Sequence, residues 1–178
     1  MSQSLTCLDA QDVSEVDLEY KWPFDITFTF RDSKGELLFS CSSPKNCANS
    51  ATLSFSDAGG AECLAARISE RTDVVELLVQ DRSAGLARTT FMCNRVVVDE
   101  CCRELGFVKR SIWNKRHVLR PKDGTEIVLR YARKSKGMIK YLCHRGPSPL
   151  GNVDFRLYAV WAADLWGARA LSSSGVFR

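Results

Sequence analysis

The chain has 178 residues, 45% hydrophobic and 26% charged, with 25 Lys and Arg against 21 Asp and Glu, eleven Gly and five Pro. Those proportions exclude a collagen, a coiled coil and a wholly disordered chain, and the length fits one domain with a hydrophobic core of its own. The formal net charge of +4 is modest, and its distribution along the chain carries more information than its size.

Residues 1–21 read as an acidic, flexible leader. Residues 1–20 hold Asp9, Asp12, Glu15, Asp17 and Glu19 and no base. The leader is expected to be loose or folded back onto a basic segment further along. It has neither the basic start nor the apolar run of a secretory signal, so a cytoplasmic protein is expected. A single β-rich domain is expected over 22–171, with a loose tail at 172–178.

From Asp25 the pattern alternates, with Ile26, Phe28 and Phe30 on one face and Thr27 and Thr29 on the other, the mark of a half-buried strand. Arg31 to Gly35 is turn chemistry, because Asp and Ser bond their own backbone and Gly accepts positive φ. Strands are predicted at 37–41, 51–55, 62–68, 74–79 and 86–93, with turns at Ser56–Gly60 and Arg82–Gly85 between them. Residues 96–105 suit either a strand, through three valines, or a short helix over Asp99–Leu105 ended by Gly106. Further strands follow at 107–112, 117–120, 126–133 and 138–143, then a Pro- and Gly-rich loop at 144–152.

Val153 to Trp161 alternates once more and is read as a strand passing into an Ala- and Leu-rich helix to Leu171. A helix apolar nearly all round must be buried. The longest apolar stretch, Tyr158 to Leu171, is broken by Asp164 and Arg169 and is shorter than the ~20 apolar residues a bilayer span needs. The fold class is therefore mainly β: an antiparallel barrel or sandwich of about a dozen short strands with an apolar C-terminal helix.

Residues 103–145 contain thirteen bases and three acids. Such a segment points to an anionic partner: an anionic membrane surface or phosphoinositide, with nucleic acid as the alternative. Lys109, Arg110, Lys115, Arg116, Lys122, Arg133, Lys134 and Lys136 flank turns expected at one end of the sheet, where they would converge on a polyphosphate. Trp113 is placed to dip into a bilayer interface or to stack on a base, as are Phe107, Tyr131 and Tyr141 in the nucleic-acid alternative. With a lipid partner the protein would be peripheral to the membrane.

Several segments resemble the tubby C-terminal-like superfamily, which includes phospholipid scramblases and LURP-one-related proteins. They are Gly35-Glu-Leu-Leu-Phe39, Leu64-Ala-Ala-Arg-Ile68, Gly106 to Trp113 continuing to Arg120-Pro-Lys-Asp-Gly124, and Val153 to Leu157 before the helix. They are most similar to an uncharacterised tubby-like family of fungal proteins, over residues 24–171. The resemblance implies strands closed around one buried C-terminal helix, and lipid binding or remodelling as the activity. In that arrangement Asp164 and Arg169 must be paired or exposed. Phe107 to Leu119, with Leu129-Arg-Tyr131, also resembles the opening strands of a pleckstrin-homology domain, but too little chain follows Gly106 to complete one.

No phosphate-cradling glycine loop is present. The eight cysteines lack repeated spacing and read as buried free thiols rather than disulfides. Cys143 and His144 are adjacent and would point to opposite faces of a strand, so a Cys–His dyad would have to assemble across the fold. Cys93, Cys101, Cys102, Cys143, His117 and His144 could supply a zinc site, but no Cys-x2-Cys pair occurs. A non-catalytic binding module without a cofactor is the expectation, with a Cys/His enzyme or zinc protein as the more distant alternative.

Overall fold

The structure, a computed structural model, describes residues 15–21, 25–32, 34–42, 50–69, 72–90, 94–111, 116–122, 127–135, 138–145 and 155–173. Among the described residues the chain is mainly β, with antiparallel strands and one helix. The strands are β1 (Glu15–Lys21), β2 (Asp25–Arg31), β3 (Leu37–Ser42), β4 (Ser50–Asp57), β5 (Glu62–Ser69) and β6 (Val74–Val79). They continue as β7 (Arg82–Thr89), β8 (Arg95–Asp99), β9 (Glu104–Ser111), β10 (Arg116–Pro121), β11 (Ile127–Ser135) and β12 (Met138–Arg145). The helix α1 spans Phe155–Ser173. Sequence neighbours pair antiparallel all along the chain, and β1 pairs with β12 as well as with β2.

The alternation seen in the sequence is what divides inside from outside. On β4, Ala51, Leu53 and Phe55 are buried, while Thr52, Ser54 and Ser56 between them are half-buried. Phe28 and Phe30 on β2, Phe39 on β3 and Leu77 on β6 join the same core. Each such side chain contributes about 1.5–3 kcal/mol when removed from water. Against them lies α1, whose residues Leu157 to Leu165 are buried without a break. It packs on β4, β5, β6, β8, β9 and β10, so the helix needs apolar side chains on every side. Phe30 and Phe39 stack at 4.2 Å, and Tyr158 meets both edge-on at 6.1 and 5.8 Å.

Three hairpin turns share one construction. Asp32, Asp57 and Asp99 each accept a hydrogen bond from the backbone N–H three residues on, at 3.1, 3.0 and 3.0 Å, and donate their own N–H to the carbonyl four residues on. Each also turns a carboxylate oxygen onto the N–H of that fourth residue, at 2.8, 2.9 and 2.9 Å. The third residue after the Asp has positive φ, +84° at Gly35, +83° at Gly60 and +60° at Cys102.

Gly106 permits two close approaches. A Cβ there would lie 2.5 Å from the Arg120 carbonyl oxygen and 3.2 Å from Leu157 of α1. Gly85 likewise lies where a Cβ would sit 2.3 Å from the Val98 carbonyl oxygen. Both glycines adjoin register shifts, opposite Leu77/Leu78 and Val97/Val98.

Four sequence expectations need correction. Residues 15–21 are not a loose leader: β1 lies between β2 and β12, with Asp17 opposite Lys140 of the basic segment, while residues 1–14 lie outside the described residues. The β6–β7 turn is not at Arg82–Gly85, because Gln80 and Asp81 take positive φ of 49° and 61° and Val79 pairs directly with Arg82. Asp99–Leu105 is a turn entering β9 and not a helix, since the Asp99 carboxylate captures the N–H groups of Cys101 and Arg103. Within Val153–Trp161 the chain is helical from Phe155, because both sets of alternating residues are buried and no strand partner is needed.

Candidate functional site

The structure brings together part of the expected basic set. Lys109 is exposed on β9, Arg110 follows it, and Arg116 opens β10 opposite Ser111. These three flank the β9–β10 connection, which contains Lys115 and Trp113, both outside the described residues. Arg133 and Lys134 lie at the end of β11, and Lys136 is outside the described residues. Successive connections of antiparallel strands alternate between the two ends of a sheet. The β9–β10 and β11–β12 connections therefore share one end. Lys122, following β10, lies at the other end, where its N–H donates to the Leu105 carbonyl at 3.0 Å. It is exposed but lies about 13 Å along β9 from Lys109, so the expectation that all the bases flank one end fails for this residue.

The register reveals cations that sequence reasoning left out of the set. Arg88 on β7, Val96 on β8, Phe107 on β9 and Arg120 on β10 are directly opposite one another in a row across four strands. Their neighbours Ala87, Val97, Val108 and Leu119 are buried toward α1, which turns this row outward. The Arg120 guanidinium lies 5.0 Å from the centroid of the Phe107 ring. Leu86 opposite Val98, and Val118 opposite Lys109, extend the apolar strip. Leu86, Val96, Val98, Phe107 and Val118 are each half-buried, and Arg88 and Lys109 are exposed. A shallow cleft of about 330 Å³ lies on this face between Leu86, Val96, Val98 and Arg88 and the turn residues Asp99 and Cys102. The alternation of each strand is legible in sequence, but the register that aligns Arg88 with Arg120 is not.

Two further charged groups hold the fold. Arg95 donates Nε to Asp164 of α1 at 2.5 Å, and its terminal nitrogens donate to the Asp73 carboxylate at 2.8 Å and carbonyl at 2.9 Å. Thr89 also donates to the Asp73 carboxylate. Burial opposes the Arg95 charge, but Asp164 and Asp73 outweigh it and hold the guanidinium protonated. Asp164 is thus paired, as a buried carboxylate requires, while the side chain of Arg169 lies outside the described set. At the β8–β9 turn, burial pushes the Asp99 carboxyl up, but hydrogen bonds from the Arg103 backbone and guanidinium and from the Cys101 N–H prevail, leaving it below the ordinary value.

The cysteines are not uniformly buried. Cys41 is in the core, where burial pushes its thiol far above the ordinary value. Cys63 is half-buried, and Cys101 and Cys102 are exposed on their turn. Cys93 lies outside the described residues, and Cys143 and His144 are placed on β12 by the backbone alone. His117 on β10 and Cys143 are both opposite Leu129, which puts two strand spacings, about 9.6 Å, between their backbones. Among the described residues no three His, Cys, Asp or Glu side chains converge to hold a metal ion. Among them, too, no helix is long and apolar enough to cross a membrane.

No protein-family model matches the chain, and no curated protein matches it. Among solved structures, the chain is similar to a protein from Arabidopsis thaliana determined by X-ray crystallography. The two share 15% sequence identity with a TM-score of 0.56, over 90% of this chain and 94% of the plant protein. At that identity the likeness bears on fold alone, an antiparallel β architecture with one helix.

Proposed function

We propose that the chain is a non-catalytic binding module of the tubby C-terminal-like kind, its dozen strands closed as a barrel around α1, and that it recognises anionic lipid headgroups on its outer face. The pairing of β1 with both β2 and β12 supports the barrel, as does a helix buried on all sides. The observation that carries the lipid reading is the outward row Arg88–Val96–Phe107–Arg120 with Lys109 beside it. A membrane interface takes cations at its phosphates and apolar or aromatic groups just beneath, and this strip offers both on one surface. Lys109, Arg110, Lys115 and Arg116, with Trp113, form the rest of the contact at the β9–β10 connection, joined by Arg133, Lys134 and Lys136. Nucleic acid would use the same bases, but the Phe107 ring is covered by Arg120, which favours lipid over a stacked base.

Vesicle sedimentation tests the proposal. The wild type should pellet at low salt with vesicles containing phosphatidylserine or phosphoinositide and not with phosphatidylcholine alone. Replacing Lys109, Arg110, Lys115 and Arg116 together by Ala should abolish binding, and Arg88→Ala or Arg120→Ala should each weaken it about fivefold, the equivalent of roughly 1 kcal/mol per base. A wild type that ignores such vesicles but retains single-stranded RNA or DNA would transfer the face to nucleic acid. Binding to neither would make it a solvated surface.

A further inference from the structure

The β8–β9 turn carries two adjacent cysteines, both exposed, that the lipid-facing reading does not use. The other described thiols are placed differently. Cys41 is sealed in the core, and Cys63 is half-buried and donates to the Ala61 carbonyl at 3.3 Å.

The turn presenting Cys101 and Cys102 is built like those at Asp32 and Asp57, but the left-handed position that holds Gly35 and Gly60 there holds Cys102 here, at φ +60°. A side chain in that conformation is strained by the approach of its Cβ to the backbone, so the turn by itself would be better served by glycine. What the substitution adds is a second thiol next to Cys101, on a backbone clamped by Asp99. Asp99 accepts hydrogen bonds from the Cys101 and Arg103 N–H groups at 2.9 Å each and from the Arg103 guanidinium at 2.8 Å. Cys102 also lines the cleft whose other walls include Leu86, Val96 and Val98.

Consecutive Cα atoms are about 3.8 Å apart, whereas disulfides form between Cα atoms roughly 4.4–6.8 Å apart. A direct bond between neighbouring cysteines is therefore strained, while one larger atom inserted between the two sulfurs relieves that strain. We infer that Cys101 and Cys102 form a dithiol site for soft, thiophilic metalloid electrophiles of the trivalent organoarsenical class, with the apolar substituent lying in the cleft. Two As–S bonds form as the oxide is displaced, and the two thiol protons leave with that oxygen as one water. No atom changes oxidation state, so no oxidant or reductant takes part.

Intact-mass titration of the full chain with phenylarsine oxide tests the site. The wild type should take up one phenylarsenic bridge that survives excess monothiol and is released by ethanedithiol. Cys101→Ser and Cys102→Gly should each lose that bridge. Cys102→Gly installs the residue found in the matching turns, and a cooperative unfolding transition at or above the wild-type midpoint would separate loss of the site from misfolding. Unchanged uptake by Cys102→Gly, release by monothiol, or no uptake by wild type would overturn the inference. Phenylarsine oxide should bind about tenfold more tightly than inorganic arsenite if its ring lies in the cleft, and equal affinity would remove the cleft from the site.

Discussion

Arg95 of β8 and Asp164 of α1 meet at 2.5 Å across the boundary between sheet and helix, with side chains only 13% and 8% exposed. The same guanidinium reaches Asp73 in the β5–β6 connection, so one side chain fixes the helix to two separate parts of the sheet. Removing one partner of a buried pair costs more than the pair contributes, because the remaining charge stays desolvated. Asp164→Ala should therefore lower stability by about 3 kcal/mol, read as a fall in the urea midpoint with an unchanged slope. Replacing both, Arg95→Met with Asp164→Leu, should recover most of that loss. A double variant no more stable than Asp164→Ala would show that the pair acts otherwise than as a desolvated fastener.

The two strand glycines make a steric prediction. Gly106→Ala would put a Cβ 2.5 Å from the Arg120 carbonyl oxygen and 2.9 Å from Pro121 Cα, and both are backbone atoms that yield only if β10 moves. A loss of about 2–3 kcal/mol is expected, of the size of core overpacking, together with displacement of Leu157 on α1. Thermal unfolding measures the loss, and a melting temperature within a degree or two of wild type would contradict the tight approach.

Glycine at the turns acts through conformation alone. Nothing lies within 4 Å of a Cβ built on Gly35 or Gly60, but both have φ above +80°. Gly60→Ala should cost about 1 kcal/mol. The reverse change, Cys102→Gly, should stabilise the protein by about 0.5–1 kcal/mol, the relief of left-handed strain less the extra entropy of glycine in the unfolded chain. Chemical denaturation of both variants should move their midpoints in opposite directions.

Asp99 links stability to acid. Its folded value lies below the ordinary carboxylate value because the hydrogen bonds from Arg103 and Cys101 favour the charged form more than burial disfavours it. A group depressed on folding adds stability that is fully present above its unfolded value, about 3.9, and is lost as pH falls through its folded value. Urea midpoints measured from pH 6 down to pH 2 should fall below about pH 4, and Asp99→Asn should flatten that fall while lowering the midpoint at neutral pH. Parallel curves for the two proteins would show that Asp99 contributes nothing to the acid limb.

What the sequence determined was local. Ile26, Phe28 and Phe30 announce a half-buried strand because side chains alternate every two residues, and Phe28 and Phe30 are indeed buried. The aspartate and glycine of Arg31–Gly35 announce a turn because both act within a few bonds of their own backbone. The apolar composition of 159–171 announces a buried helix. The bases at Lys109, Arg110 and Arg116 are legible as a cluster because one hairpin connection holds them together. What the tertiary structure decided was every relationship between distant parts of the chain. Residues 15–21 looked like an acidic leader, loose or folded back onto the basic segment, and only the fold shows them as a strand, because the neighbour β12 lies at the far end of the sequence. Asp164 looked misplaced in an apolar helix until the fold brought it Arg95, 69 residues earlier. Lys122 belonged with the other bases by proximity in sequence, yet an odd number of strand reversals carries it to the opposite end. Arg88 and Arg120 share one outward row because the registers of three successive antiparallel pairings align four strands. Periodicity and turn chemistry act over a few residues and can be read from them, whereas register and ion pairing depend on which strands and helix the completed core places side by side.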